Sequence, residues 1–179
     1  MRPLPERIET DRLLLRVATR VDAEEMYARY AHDAEVARYM GWTPHQSVRE
    51  TEAFVERVIA DRENGLTYSW LICPSNGGTL LGSIGCRVQE TRLQFGYCLA
   101  RDAWGHGYAT EAAQAFLNLA LADEAVWRVQ AFCDVENPAS ARVLEKAGLK
   151  LEGKLRRYLV MPNLGHEPRD VFCYAKVRE

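Results

Sequence analysis

The chain has 179 residues, the size of one domain; two would each sit near the lower limit for a self-sufficient core. Apolar residues at 47% and charged ones at 27% are the balance of an ordinary soluble globule with enough apolar matter for a real core. Lys and Arg number 23 against 25 Asp and Glu, a net charge of -2 that speaks against a dedicated nucleic-acid binder. No run approaches the roughly 18 uninterrupted apolar residues of a membrane-spanning helix, and Met1 to Arg7 holds no apolar signal segment. A soluble, cytoplasmic protein without nucleic-acid or membrane partners is expected. The five cysteines (73, 86, 98, 133, 173) form no CxxC pair and read as reduced thiols, several of them in β-like runs. The four histidines lack ligand spacing, so no metal is expected.

In chain order, Arg12 to Val17 reads as a first strand. Thr19-x-x-Asp22 has capping-box spacing and opens a helix through about Tyr30. A short helical piece follows from Asp33 to Met40. Ser47-x-x-Glu50 repeats the capping spacing, and Phe54, Val55, Val58 and Ile59 give the stripe of an amphipathic helix that stops at Asn64-Gly65. The texture then turns to β: Leu66 to Ile72, a turn at Pro74 to Gly78, Leu80 to Val88, and Leu93 to Leu99, joined closely enough for an antiparallel meander. A glycine loop, a helix from about Tyr108 to Ala122 and a strand from Arg128 to Asp134 form a β-α-β unit whose crossover makes its strands parallel. Asn137-Pro138 opens a helix ending at Gly148, and Lys150 to Leu155 and Val171 to Val177 are the last strands. The expected fold is α+β: one mixed, mostly antiparallel sheet of about seven strands, covered by helices, in a single domain over residues 1–179.

Two segments carry chemistry. In Trp104-Gly105-His106-Gly107-Tyr108-Ala109-Thr110, two glycines lie between a strand and a helix. Glycines allow close main-chain approach to a ligand, and the helix start offers unpaired N–H groups and a positive dipole end to an anion. A pyrophosphate cradle and a mere tight turn both fit that spacing. No GxxxxGK[ST] is present, and Gly105-x-Gly107-x-x-Thr110 lacks the third glycine of a dinucleotide fingerprint. In the second segment, Asn137 is a good N-cap, Pro138 a good first-turn residue and Gly148 a good helix stop. Ser140 shares a face with Val143, Leu144 and Ala147, so its hydroxyl needs a partner, either a cleft ligand or the carbonyl four residues back.

These residues resemble a known family. Trp104-Gly-His-Gly-Tyr-Ala-Thr-Glu-Ala112 is similar to the acetyl-CoA signature of the GNAT N-acetyltransferases in its RimJ/RimL form, with Trp104 where many members have Gln or Arg. Asn137-x-x-Ser140, Glu145 to Leu149, Leu151-Glu152-Gly153-x-x-Arg156, Phe95-Gly96-Tyr97-x-Leu99, Arg169-Asp170 and the opening Ile8 to Arg16 extend the resemblance over nearly the whole chain.

The resemblance implies transfer of acetyl from acetyl-CoA to a primary amine, on a peptide N-terminus or a small molecule, by direct attack in a ternary complex. It implies that the backbone from Trp104 through Gly105, His106, Gly107, Tyr108 and Ala109 to Thr110 binds the pyrophosphate. The splayed strands would be those ending at Leu99 and near Asp134. Main chain around Leu99 and Arg101 would pair with pantetheine like a further strand, and an amide near Cys98 or Leu99 would stabilise the oxyanion. Asn137 would contact the pantetheine arm, and Ser140 would protonate the leaving thiolate.

Many members carry a glutamate two residues before the position of Gly96; here that residue is Gln94, which leaves Glu90, Glu111, Glu152 or a water chain for deprotonation. Cys98 reads as a buried strand cysteine rather than a nucleophile. Tyr39, Trp42, Trp70, Tyr158 and the loop from Pro162 to Pro168 would wall the acceptor, in a monomer or homodimer. The competing functions are a non-catalytic CoA-binding sensor or scaffold, kept open by Gln94, and a dinucleotide binder.

Overall fold

The computed structural model describes residues 2–179; Met1 lies outside them. Eight strands form one sheet: β1 (Arg7–Glu9), β2 (Leu13–Arg16), β3 (Thr67–Pro74), β4 (Gly82–Gln89), β5 (Arg92–Leu99), β6 (Arg128–Asp134), β7 (Lys150–Val160) and β8 (Pro168–Val177). Their spatial order is β1-β2-β3-β4-β5-β6-β8-β7, antiparallel except for the β5–β6 pair. The sheet therefore has one strand more than the sequence suggests. That strand is β1, three residues in which one half-buried Ile8 sits between exposed Arg7 and Glu9, too short to show periodicity.

The helices are α1 (Ala23–Met26), α2 (Ala34–Ala37), α3 (Val48–Glu63), α4 (Tyr108–Ala122) and α5 (Pro138–Lys146). The helix expected from Thr19 to Tyr30 is real but irregular: a 3-10 turn at Arg20–Asp22, then α1, then a π turn at Tyr27–Ala31. Its capping box forms, with the Thr19 amide and hydroxyl donating to Asp22 Oδ2 at 2.7 and 2.8 Å. The second capping box does not. Ser47 caps nothing, and Glu50 instead accepts the Gln46 amide at 2.9 Å.

Strand alternation divides the core. Leu93, Phe95, Trp70 and Val129 point to one face and meet Phe116 and Leu117 of α4, which is brought close by Ala109, Ala112 and Ala113. Leu71 and Cys98 point to the other, under α1, α3 and the Trp42 segment. Trp70 is fully buried on the α4 face, its indole N–H donating to the Pro5 carbonyl at 2.9 Å, so it does not wall an acceptor pocket. Its alternating strand position could not reveal which face it chose.

Candidate active site

β5 and β6 pair only over Arg92–Gln94 and Arg128–Gln130. From Phe95 and Ala131 onward the two strands part, each held by its outer neighbour, β4 or β8. The direction of the freed groups follows from the ladders. The β4–β5 hairpin closes on Gln89 and Arg92, and the Ala100 amide donates to the Leu81 carbonyl at 2.8 Å. By antiparallel alternation Gly96 and Cys98 bond toward β4, so the main-chain groups of Phe95, Tyr97 and Leu99 face the gap. The Cys98 amide is thus turned away from it, and the Leu99 amide toward it. The Leu99 carbonyl already accepts the Trp104 indole N–H at 2.9 Å, and that indole is half exposed at the mouth of the gap.

Past β5, Arg101–Ala103 makes one 3-10 turn, in which the Arg101 carbonyl accepts the Trp104 amide at 3.1 Å and the Arg101 guanidinium pairs with Asp33 at 2.7 Å. Gly105 and Gly107 have φ of 80° and 81°, a left-handed conformation that suits glycine. Gly107 is the N-cap of α4 and supplies no side chain to it; the first helical bond is Glu111 N to Gly107 O at 3.0 Å. The amides of Gly107, Tyr108, Ala109 and Thr110 consequently have no helical acceptor. His106 is exposed and stacks on Tyr108, while Ala109 is buried and Thr110 half-buried. The strand gap therefore opens onto a bare, positive helix end.

α5 stands across the gap. Its N-cap Asn137 accepts the Ser140 amide at 3.1 Å through Oδ1, leaving Nδ2 free of hydrogen bonds among the described residues. Ser140 Oγ lies 2.9 Å from the Tyr97 hydroxyl, so its partner is neither the carbonyl of Glu136 nor solvent alone. Burial pushes the Tyr97 phenol up to about 12, although Ser140 pulls the other way. No local signal marks Tyr97 as a site residue: the contact joins positions 43 apart, and only the fold brings them together.

On the face away from α4, Gly96 is exposed and a Cβ there would meet nothing within 4 Å, leaving open space between Gln94 and Cys98. Phe132 on β6 packs against half-exposed Tyr158 at 5.0 Å. The Tyr39 hydroxyl donates to the Glu136 carbonyl at 3.0 Å, and Asn163 Nδ2 to the Ala37 and Trp42 carbonyls at 2.6 and 2.8 Å. These bonds tie the α2 segment to β6 and to the β7–β8 loop. A groove of about 470 Å³ runs along that loop, lined by Val135, Arg157, Leu164, His166 and Arg169.

At its rim Arg169 bridges Glu136 at 2.7 Å and buried Asp134. Burial opposes the Asp134 charge, but hydrogen bonds from Arg169 and the Glu136 amide outweigh it and hold the carboxyl below its usual range.

None of the three carboxylates left by the sequence is set up as a base. Glu90 is in the β4–β5 turn, at the end of β5 opposite the glycine loop. Glu111 is half-buried, which opposes its charge, yet Thr10 and Arg12 hold it ionised with a lowered pKa. Glu152 is lowered by a two-pronged hydrogen bond from Arg128 at 2.9 and 2.5 Å. Cys98 is raised by burial and lies 3.4 Å from Ser83 Oγ, beside a cavity of about 40 Å³ also lined by Tyr30 and His45. Burial disfavours the thiolate, so Cys98 is not an activated cysteine; His45 Nδ1 pairs with Thr51 at 2.8 Å.

A sequence profile described as "Acetyltransferase (GNAT) domain" matches residues 12–150. The chain belongs to the GNAT acetyltransferases. It is 29% identical over 175 residues to the uncharacterized N-acetyltransferase YoaA of Bacillus subtilis, covering 96% of this chain and 98% of that protein. A GNAT-family acetyltransferase from Bacillus anthracis superposes with a TM-score of 0.83 at 26% identity, covering 96% of this chain and 98% of that one. RimL, a ribosomal L7/L12 α-N-protein acetyltransferase solved with coenzyme A, superposes with a TM-score of 0.85 at 22% identity, covering 96% and 98%.

As a GNAT member this chain is an acetyl-CoA-dependent N-acetyltransferase, and the sensor and dinucleotide readings lapse. No group of side chains that could hold a metal ion occurs among the described residues, and none of their helices is long and apolar enough to cross a membrane.

Proposed function

We propose that acetyl-CoA lies along the β5–β6 gap with its diphosphate on the amides of Gly107 to Thr110, and that a primary amine attacks the thioester from the Gly96 face. The observation that carries this is the parting of β5 from β6, which opens directly onto an uncapped α4. Pantetheine carries amides, and the main-chain groups of Phe95 and Tyr97, which face the gap, can pair with them as another strand would.

The Leu99 amide is the oxyanion donor: it faces the gap, whereas that of Cys98 is spent on β4. Trp104, by occupying the Leu99 carbonyl, closes the outer side of the channel. The Asn137 Nδ2 is available to the pantetheine arm, and Ser140 Oγ protonates the leaving sulfur while the Tyr97 hydroxyl orients it. The carbonyl carbon gains the N–C bond and the C–S bond breaks. The sulfur leaves as CoA thiol with the Ser140 proton, half-buried Ser140 regains a proton from solvent, and the amine gives its own proton to solvent water because Gln94 cannot accept one.

The acceptor is the N-terminal amine of a peptide or a small-molecule amine, admitted between Phe132, Tyr158 and the β7–β8 loop. An open groove along that loop supports a peptide, and RimL, of the same fold, is a protein α-N-acetyltransferase. The test is release of CoA thiol from acetyl-CoA across a panel of peptide N-termini and small amines. Turnover of at least one class is expected; tight acetyl-CoA binding with no turnover on any amine would contradict the proposal.

A further inference from the structure

The segment Thr10-Asp11-Arg12 at the entry to β2 has no part in the chemistry above, yet it converges on the glycine loop and α4 from 99 residues away. Arg12 Nη1 donates to the His106 carbonyl at 3.0 Å. Its Nε and Nη2 bind Glu111 Oε2 at 2.7 and 2.6 Å. The Arg12 amide and the Thr10 hydroxyl both donate to Glu111 Oε1, at 3.0 and 2.6 Å. The guanidinium also lies 5.0 Å from the centre of the Tyr108 ring, and the Arg12 carbonyl is fixed by the Ser75 amide at 2.9 Å. One arginine thus touches the loop, the first helical residue and the first-turn carboxylate.

A trans peptide points its carbonyl and the next N–H in opposite directions. With the His106 carbonyl held on the Arg12 side, the Gly107 N–H is turned to the other side of the loop. We propose that Arg12 is a positioning residue for the acetyl donor: it locks the His106–Gly107 peptide and the first turn of α4 so that the Gly107 amide is presented to the diphosphate. Glu111 serves as the anchor for Arg12, which accounts for a carboxylate in the first turn that is not a base. Its negative charge also keeps the guanidinium engaged within the protein. The inference rests on the proposal that this loop binds the diphosphate.

The test compares two donors, acetyl-CoA and acetyl-pantetheine, the second having no diphosphate. In Arg12→Ala the KM for acetyl-CoA and the Kd for CoA by calorimetry should rise about tenfold, the worth of one well-oriented hydrogen bond. The kcat should stay within about twofold, and kcat/KM for acetyl-pantetheine should not change. Arg12→Lys, whose single ammonium cannot serve both His106 and Glu111, should lose less, about threefold, and provides the readout if the alanine variant does not fold.

Equal losses with both donors would make Arg12 merely structural and overturn the proposal, as would unchanged CoA affinity in both variants. Failure of the wild-type protein itself to bind CoA would instead overturn the assignment of the loop.

Discussion

Replacing Ser140 by alanine separates chemistry from stability at one position. The hydroxyl lies 2.9 Å from that of Tyr97, whose own proton is held tightly by a pKa pushed up to about 12. Loss of a general acid costs about 100-fold in rate, or about 2.7 kcal/mol of barrier. Loss of the partner hydrogen bond in a half-buried setting costs about 1 kcal/mol of stability, a fall in Tm of about 2–4 °C. Ser140→Ala should therefore remain folded and bind acetyl-CoA while kcat drops about 100-fold.

Tyr97→Phe, which leaves the serine present but unoriented, should lose about tenfold, and the double variant should be no slower than Ser140→Ala alone. The assay is thiol release at saturating acetyl-CoA with the best amine from the panel, alongside thermal melts. A Ser140→Ala rate within a few-fold of wild type would refute proton delivery by this hydroxyl.

Three further outcomes follow from the geometry. Gly82→Ala would put a Cβ 2.1 Å from the Cys98 carbonyl oxygen and 2.8 Å from Leu99 Cα, so β4 and β5 must move apart; a loss of about 3 kcal/mol should appear as a Tm about 6–12 °C lower, and an unchanged Tm would contradict that packing. Arg169→Ala leaves buried Asp134 without its cation and should cost about 2–3 kcal/mol at neutral pH, less than a fully buried pair because Arg169 is 25% exposed.

The lowered Asp134 pKa means that the pair's stabilisation is present above the ordinary carboxylate value of about 3.9 and is lost as pH falls through the folded value. The Tm gap between variant and wild type should accordingly shrink below about pH 4; a constant gap would contradict it. Finally, without a carboxylate base, kcat/KM should climb about tenfold per pH unit up to the acceptor's own pKa, about 7.7–8.0 for a peptide N-terminus. An inflection near pH 6 that stays put when the amine is changed would indicate a protein base instead.

Much of this architecture is legible in the sequence because local and tertiary preferences agree. α3, α4 and α5 have clear apolar stripes or boundary residues, and the glycine loop falls between β5 and α4 as its letters suggest. The misses are places where distant contacts override local signals. β1 exists only through its partner β2, and β7 runs on to Val160 past a kink at Arg157 with φ 46° because β8 supplies the pairing.

β8 itself begins early, at Pro168, opposite Val160 on the outermost strand β7. The partners of Ser140 and Glu111 were equally hidden, since Tyr97 and Arg12 reach them only after the sheet is assembled. Residue types point to the helix start as a place an anion could sit; register alone turns the Leu99 amide, rather than that of Cys98, toward the gap.

The most direct measurement is a crystal structure of the protein grown with coenzyme A, supported by a calorimetric titration of the same pair. Coenzyme A should bind with its diphosphate against the Gly107, Tyr108, Ala109 and Thr110 amides and its thiol between Leu99 and Ser140. No measurable heat of binding, or coenzyme A lodged away from the parted strands, would contradict the account.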